Sequence, residues 1–119
     1  MLRRALIASN RSVSLQQTAV PVARSASDCL VQTKAFGLNA LDFAMSRDSY
    51  GAAILDRLRG AEYVLGQELS GVVVETGPNV FDLRVGDEVF GAVDPWSRCG
   101  TAATFVRVNE CDLALKPKK

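Results

Sequence analysis

From residue 28 onward, apolar residues occur in short runs and alternating stretches that are too brief for long helices. Stretches of this kind, bounded by glycine, proline and asparagine, predict β-strands. In one of them Val72, Val73 and Val74 are consecutive, which indicates a strand buried on both faces. The predicted strands are residues 28–36, 69–75, 88–93 and 103–109.

Turn residues and one helical pattern separate the predicted strands. Residues 76–79 combine a glycine that tolerates positive φ with a proline that fixes φ, and Gly86 marks a second turn. Residues 39–51 predict a turn of helix and a loop, and residues 52–60 predict a short helix that Gly60 ends. Several short strands with one or two short helices predict a mainly β protein, either a barrel or a sandwich.

The first 27 residues contain four arginines and no acidic residue. On a helical wheel of about 100° per residue, Leu2, Leu6 and Val13 cluster on the side opposite most of the arginines. An amphipathic, Arg-rich, Ser-rich and acid-poor segment is typical of a mitochondrial transit peptide. A plastid import signal and a disordered basic tail are the alternatives. We therefore expect residues 1–27 to lie outside the fold and residues 28–119 to form the domain.

Composition argues against several classes of function. The chain has 119 residues, which allows one small domain. Residues 28–119 hold ten basic residues against thirteen acidic ones, whereas a nucleic-acid-binding domain is expected to be basic. No window approaches 18 uninterrupted apolar residues, so no transmembrane span is predicted.

The chain contains no histidine, and its three cysteines form no Cys-x-x-Cys pair. Catalysis by a histidine base and a histidine-ligated metal are therefore excluded. The spacing of Cys29, Cys99 and Cys111 indicates neither a disulfide framework nor a zinc site. We expect these residues to be buried or half-exposed thiols.

Residues 65–91 carry a spaced pattern of glycine and valine, and two flanking segments extend it. The pattern consists of Gly66-Gln67-Glu68, Gly71-Val72-Val73, Gly77, Val80 and Gly86-Asp87-Glu88-Val89. The flanking segments read "GLNALDF" at 37–43 and "DPWSRCGTAATFVRV" at 94–108. Together they resemble the catalytic domain of the medium-chain dehydrogenase/reductase superfamily, and most of all its zinc-independent quinone oxidoreductase branch. The resemblance covers about residues 28–119 and implies a GroES-like, partly open β-barrel.

The resemblance also implies a reaction, the reduction of a quinone or an enone by NADPH. The nicotinamide supplies the hydride, and the protein orients the two reactants. In the zinc-dependent members of this family, the residue before the glutamate of the corner is a histidine that binds zinc. Gln67 stands there instead, and a neutral amide is a poor zinc ligand, so no zinc is expected. Hydrogen bonds then have to stabilise the charge that develops on the substrate oxygen.

Four residues are candidates for the pocket that holds the substrate and the nicotinamide. Asn39 matches the asparagine that the family places near both, and Tyr50 supplies a phenolic donor, so these two are the candidate catalytic residues. Asp42 and Gln67 complete the predicted pocket. Each has a structural alternative: capping a turn for Asn39 and Asp42, packing for Tyr50, and satisfying backbone groups for Gln67. Gly71, Gly77 and Gly86 are expected to serve turns and close packing.

The sequence contains no Gly-x-Gly-x-x-Gly turn between a strand and a helix, which the phosphates of NADPH require. We therefore expect a truncated catalytic domain that lacks the family's nucleotide-binding domain and first β-hairpin, and that binds no NADPH by itself. Two alternatives stay open. One is a co-chaperonin-like ring protein, since "VGDEVF" at 85–90 also suits that fold. The other is a non-catalytic interaction module.

Overall fold

The computed structural model describes residues 1–9, 12–40, 42, 63–94 and 99–118. Within them the chain is mainly β, as predicted, with a turn of 3-10 helix at Glu110–Asp112 and helical backbone at Ala40 and Asp42. The predicted helix at 52–60 lies outside the described residues. No helix in the described part is long and apolar enough to cross a membrane. The strands are β1 Leu2–Ser9, β2 Ser12–Ala19, β3 Asp28–Gly37, β4 Tyr63–Val64, β5 Glu68–Thr76, β6 Glu88–Ala92, β7 Phe105–Asn109 and β8 Leu113–Leu115.

The strands form two antiparallel sheets that do not close into a single barrel. The larger sheet has the order β7-β3-β5-β6-β8, and the smaller one has the order β2-β1-β4. All four strands predicted from the sequence are present, with ends shifted by one or two residues. Two short strands, β4 and β8, were not predicted, because two or three residues are too few to show a period.

The core lies on one face of the larger sheet, where Val31, Val73, Val89 and Val106 are almost completely buried. The valine triplet of β5 is not buried on both faces as predicted: Val73 is fully buried, but its two neighbours are half-buried. The reason is that successive side chains of a strand point to opposite faces, and an antiparallel sheet packs only one face on the core.

The amino-terminal segment differs most from its prediction. Residues 2–19 form neither a helix nor a disordered tail but a β-hairpin, with eight residue pairs between β1 and β2. Within β1, Ala5 and Ile7 are buried in the main core, and Ala8 is buried in a smaller cluster with Leu65 and Ala102. The expectation that residues 1–27 lie outside the fold, in place of the first hairpin, is therefore wrong. A segment this short is compatible with both the helical and the strand period, and packing decides between them.

Backbone hydrogen bonds attach the hairpin to the larger sheet. The segment 102–104 runs between the two sheets and accepts from Leu6 N at 2.9 Å through the carbonyl of Ala102. Its Thr104 donates to the carbonyl of Arg4 at 2.9 Å and accepts from Thr33 N of β3, also at 2.9 Å. Because segment 102–104 pairs with both β1 and β3, the hairpin is part of the folded domain.

We predict that Ile7→Ala lowers the free energy of unfolding by about 2–4 kcal/mol, because it removes buried methyl groups and leaves a cavity in the core. Leu2→Ala, on the same strand but 59% exposed, is the control and is expected to change it by less than about 0.5 kcal/mol. Urea denaturation of the whole chain measures both. Equal, small effects would show that the hairpin contributes nothing to the core.

Candidate functional site

The corner formed by Gly66, Gln67 and Glu68 joins β4 to the start of β5. Gly66 has a φ of 89°, a conformation that residues with a side chain rarely adopt. A Cβ atom at this position would lie 2.5 Å from Thr101 Oγ1 and 2.9 Å from the backbone nitrogen of Ala102. Both the turn and the close approach of segment 100–102 therefore require glycine at the corner.

The buried carboxylate of Asp42 holds the corner from one side. Asp42 is 5% exposed, and its Oδ1 accepts a hydrogen bond from Gly66 N at 2.9 Å. Its Oδ2 accepts from Asn39 N at 3.0 Å, while its own backbone nitrogen donates to the carbonyl of Asn39 at 3.1 Å. The carboxylate thus ties the turn at Asn39 to the corner, which is the capping alternative considered for Asp42.

Thr101 holds the corner from the other side. Its fully buried hydroxyl donates to the carbonyl of Glu68 at 2.9 Å, and its backbone nitrogen donates to the carbonyl of Gly66 at 3.1 Å. Val93 N donates to the carbonyl of Gln67 at 2.7 Å. The sequence analysis did not select Thr101. The signal available in the sequence was the glycine directly before it. In the structure, a Cβ atom at Gly100 would overlap the carbonyls of residues 64 and 65.

The side chain of Gln67 has a buried polar atom without a partner among the described residues. Its Nε2 is buried and donates to no acceptor in the part of the chain that the structure describes, although the residue as a whole is half-buried. An unsatisfied buried amide is costly, typically about 1–3 kcal/mol. A ligand oxygen placed against Nε2 would remove that cost, so the amide is a candidate donor to a substrate.

The structure therefore brings three of the four predicted pocket residues into one neighbourhood. Asn39 and Gln67 both adjoin Asp42, the first by two direct hydrogen bonds and the second through Gly66. Tyr50 lies outside the described residues. The catalytic roles of Asn39 and Tyr50 stay predictions, as do the pocket roles of Asp42 and Gln67.

Two glycines at positive φ provide a matched pair of substitutions. Gly66→Ala and Gly86→Ala each place a Cβ atom on a left-handed backbone, at a cost of about 1–2 kcal/mol. Gly86 has open space around it, whereas Gly66 faces Thr101 and Ala102, so overlap adds roughly 1–3 kcal/mol there. We expect Gly66→Ala to have the lower urea midpoint, and equal midpoints would contradict the close approach at the corner.

The described donor atoms near the corner do not form a ligand set for a catalytic zinc ion. Gln67 offers an amide, and the described residues contain no group of three cysteine, aspartate or glutamate side chains arranged to hold a metal. Within the described residues no two cysteines form a disulfide: Cys29 is buried, Cys99 is half-buried and Cys111 is exposed. Burial raises the pKa of the Cys29 thiol, and the nearby Glu110 and Asp28 carboxylates raise it further.

The raised pKa of Cys29 predicts a loss of stability at alkaline pH. In the unfolded chain a cysteine ionises near pH 8.5, whereas in the folded protein Cys29 keeps its proton to higher pH. The contribution of the protonated Cys29 thiol to the free energy of unfolding is therefore fully present below about pH 8.5. It is lost as pH rises through the folded-state pKa, at up to about 1.4 kcal/mol per pH unit. Urea denaturation under reducing conditions from pH 7 to 9.5 measures this loss of stability.

Cys29→Ala is expected to flatten the dependence of stability on pH, and the exposed control Cys111→Ala to leave it unchanged. A pH dependence unaffected by Cys29→Ala would contradict the assignment to Cys29.

The fold and the corner together define a class of protein. Residues 25–117 match the alcohol dehydrogenase GroES-like domain family, so the chain belongs to that family, and the predicted place in the medium-chain dehydrogenase/reductase superfamily is confirmed. Among curated proteins the chain is similar to NAD(P)H oxidoreductase RTN4IP1, mitochondrial. It is 34% identical to the Homo sapiens protein over 113 residues, which cover 87% of this chain and 28% of the relative. It is 36% identical to the Dictyostelium discoideum protein over 92 residues, which cover 77% of this chain and 26% of the relative.

Among solved structures the chain is similar to the quinone oxidoreductase from Coxiella burnetii. The TM-score is 0.89 at 22% identity, and the match covers 99% of this chain and 38% of the other. Since nearly the whole chain superposes, the amino-terminal hairpin is part of the shared fold. The chain spans about a quarter of the length of the curated relatives it matches.

Proposed function

We propose that this chain forms the substrate-side domain of a mitochondrial, zinc-independent oxidoreductase that reduces a quinone or an enone with NADPH. The observation that carries the proposal is the buried, unpartnered Nε2 of Gln67 at the corner. The family membership and the relatives named NAD(P)H oxidoreductase support the reaction class. The word mitochondrial in the names of the relatives supports the location.

In this proposal Gln67 donates a hydrogen bond to a carbonyl oxygen of the substrate. The partial negative charge on that oxygen grows as the ring or the alkene accepts hydride, so a fixed amide dipole stabilises the transition state more than the ground state. Asp42 is a positioning residue, because its carboxylate accepts one hydrogen bond from the turn and one from the corner. These two bonds hold Asn39 and Gly66 at a fixed distance from each other. The amide of Asn39 and the phenol of Tyr50 remain the proposed groups that orient substrate and nicotinamide.

NADPH, when bound, supplies the hydride. The 119 residues contain no glycine-rich turn between a strand and a helix that would receive its phosphates. We therefore expect the chain alone to hold the quinone weakly and to bind no NADPH at micromolar concentration. The import role predicted for residues 1–27 also stays a proposal, and removal of the hairpin would take Ala5, Ile7 and Ala8 out of the core.

The test is a titration of the purified chain with menadione, a soluble quinone, followed by NMR of the backbone and side-chain amides. We expect weak binding, with a Kd on the order of 1 mM, that shifts the Gln67 side-chain signal. Gln67→Leu is expected to weaken binding about tenfold, the value of one hydrogen bond to a buried donor. Gln32→Leu, at an exposed position on β3, is the control and should leave binding unchanged.

Two outcomes would overturn the proposal. Equal affinities of the two leucine variants would remove Gln67 from the site, and micromolar binding of NADPH would contradict the division of labour between this domain and a nucleotide-binding domain. Sedimentation of the same sample addresses the co-chaperonin alternative. We expect no seven-membered ring, and a heptamer would favour that alternative.

A further inference from the structure

A second concave surface lies away from the corner, where the hairpin meets the end of β3. Its walls are apolar side chains, Leu6 and Leu15 from the hairpin and Phe36 from β3, and its floor is the segment 102–104. The volume of this groove is about 500 Å³, within the roughly 300–1,000 Å³ of small-molecule sites. Leu15 is 64% exposed and Phe36 is 40% exposed, so the groove keeps apolar surface in contact with water.

The charges around the groove have one sign. Arg4 and Lys34 line it, both exposed, and no acidic residue belongs to its lining, all of which lies in the described part of the chain. In the described residues neither cation forms an ion pair with a carboxylate, and the one described ion pair joins Arg107 to Glu75. Two cations beside an apolar groove, neither paired with a described carboxylate, complement a ligand with an apolar body and a single anionic head.

The groove also contains a hydroxyl without a partner. Thr33 lines it, and Thr33 Oγ1 is buried and makes no hydrogen bond in the structure. The neighbouring Thr104 hydroxyl is occupied, since it accepts from Arg4 N at 3.1 Å. A carboxylate placed between the two cations would accept a hydrogen bond from the Thr33 hydroxyl and supply its missing partner.

From these three observations we propose that the groove binds a free fatty-acid anion of medium chain length. The alkyl chain lies along Leu6, Leu15 and Phe36, and the carboxylate lies between Arg4 and Lys34. This site is separate from the corner at Gly66 and Gln67, and it does not depend on the reductase proposal.

The probe is decanoate, titrated into the 119-residue chain and followed by NMR of the amides of Thr33 and segment 102–104. We expect saturable binding of decanoate, weaker binding of the uncharged decanol, and none of acetate. Arg4→Gln combined with Lys34→Gln is expected to weaken decanoate about fivefold to tenfold and to leave decanol unchanged. Arg84→Gln with Lys118→Gln removes the same charge from exposed positions elsewhere and is the matched control.

Two further variants separate the apolar and polar parts of the groove. Leu15→Asn is expected to weaken decanoate and decanol alike, because it removes exposed apolar wall without touching the core. Thr33→Val keeps the shape of the wall and removes only the hydroxyl, so it should weaken decanoate a few-fold and leave decanol unchanged.

Equal weakening by the two charge-removing pairs would show only general electrostatic attraction and would overturn the proposal. Binding to phosphatidylglycerol vesicles without binding of monomeric decanoate would also overturn it, and would instead indicate a membrane surface as the partner.

Discussion

The close approach of three backbone segments at Gly66 is the constraint on which the rest of the structure depends. The turn at Asn39, the corner at 66–68 and the segment 100–102 meet there, and two small buried polar side chains join them. Asp42 accepts from Gly66 N at 2.9 Å, and Thr101 donates to the carbonyl of Glu68 at 2.9 Å. Buried backbone groups need partners, and these side chains supply them where the sheet ladders end.

The same constraint defines the chemistry available at the corner. With its backbone held on both sides, Gln67 has its carbonyl occupied by Val93 N, while its side-chain nitrogen stays buried without an acceptor. A preorganised amide dipole can act on a developing negative charge without having to reorient during the reaction. In the proposed function, this dipole takes the place that a metal ion has in zinc-dependent enzymes.

The segment 102–104 has a comparable role for the hairpin. It pairs with β1 through Leu6 and Arg4, and with β3 through Thr33, so that two open sheets are joined without closing into one barrel. Where the hairpin and β3 diverge beyond this segment, an apolar groove remains. Residues 100–102 thus adjoin the corner and residues 102–104 line the groove.

The sequence by itself determined the four main strands, their turns and the position of the corner at residues 66–68. Alternation of apolar residues, turn glycines and the absence of histidine can be read locally and do not depend on how the strands are arranged in space. It also allowed Asn39, Asp42 and Gln67 to be selected through a family pattern. Only the tertiary structure decided that residues 2–19 are a hairpin, that Val72 and Val74 are half-buried, and that Thr101 supports the corner. Each of these depends on contacts between residues far apart in the chain, and local propensity is too weak to choose among the alternatives that such contacts decide.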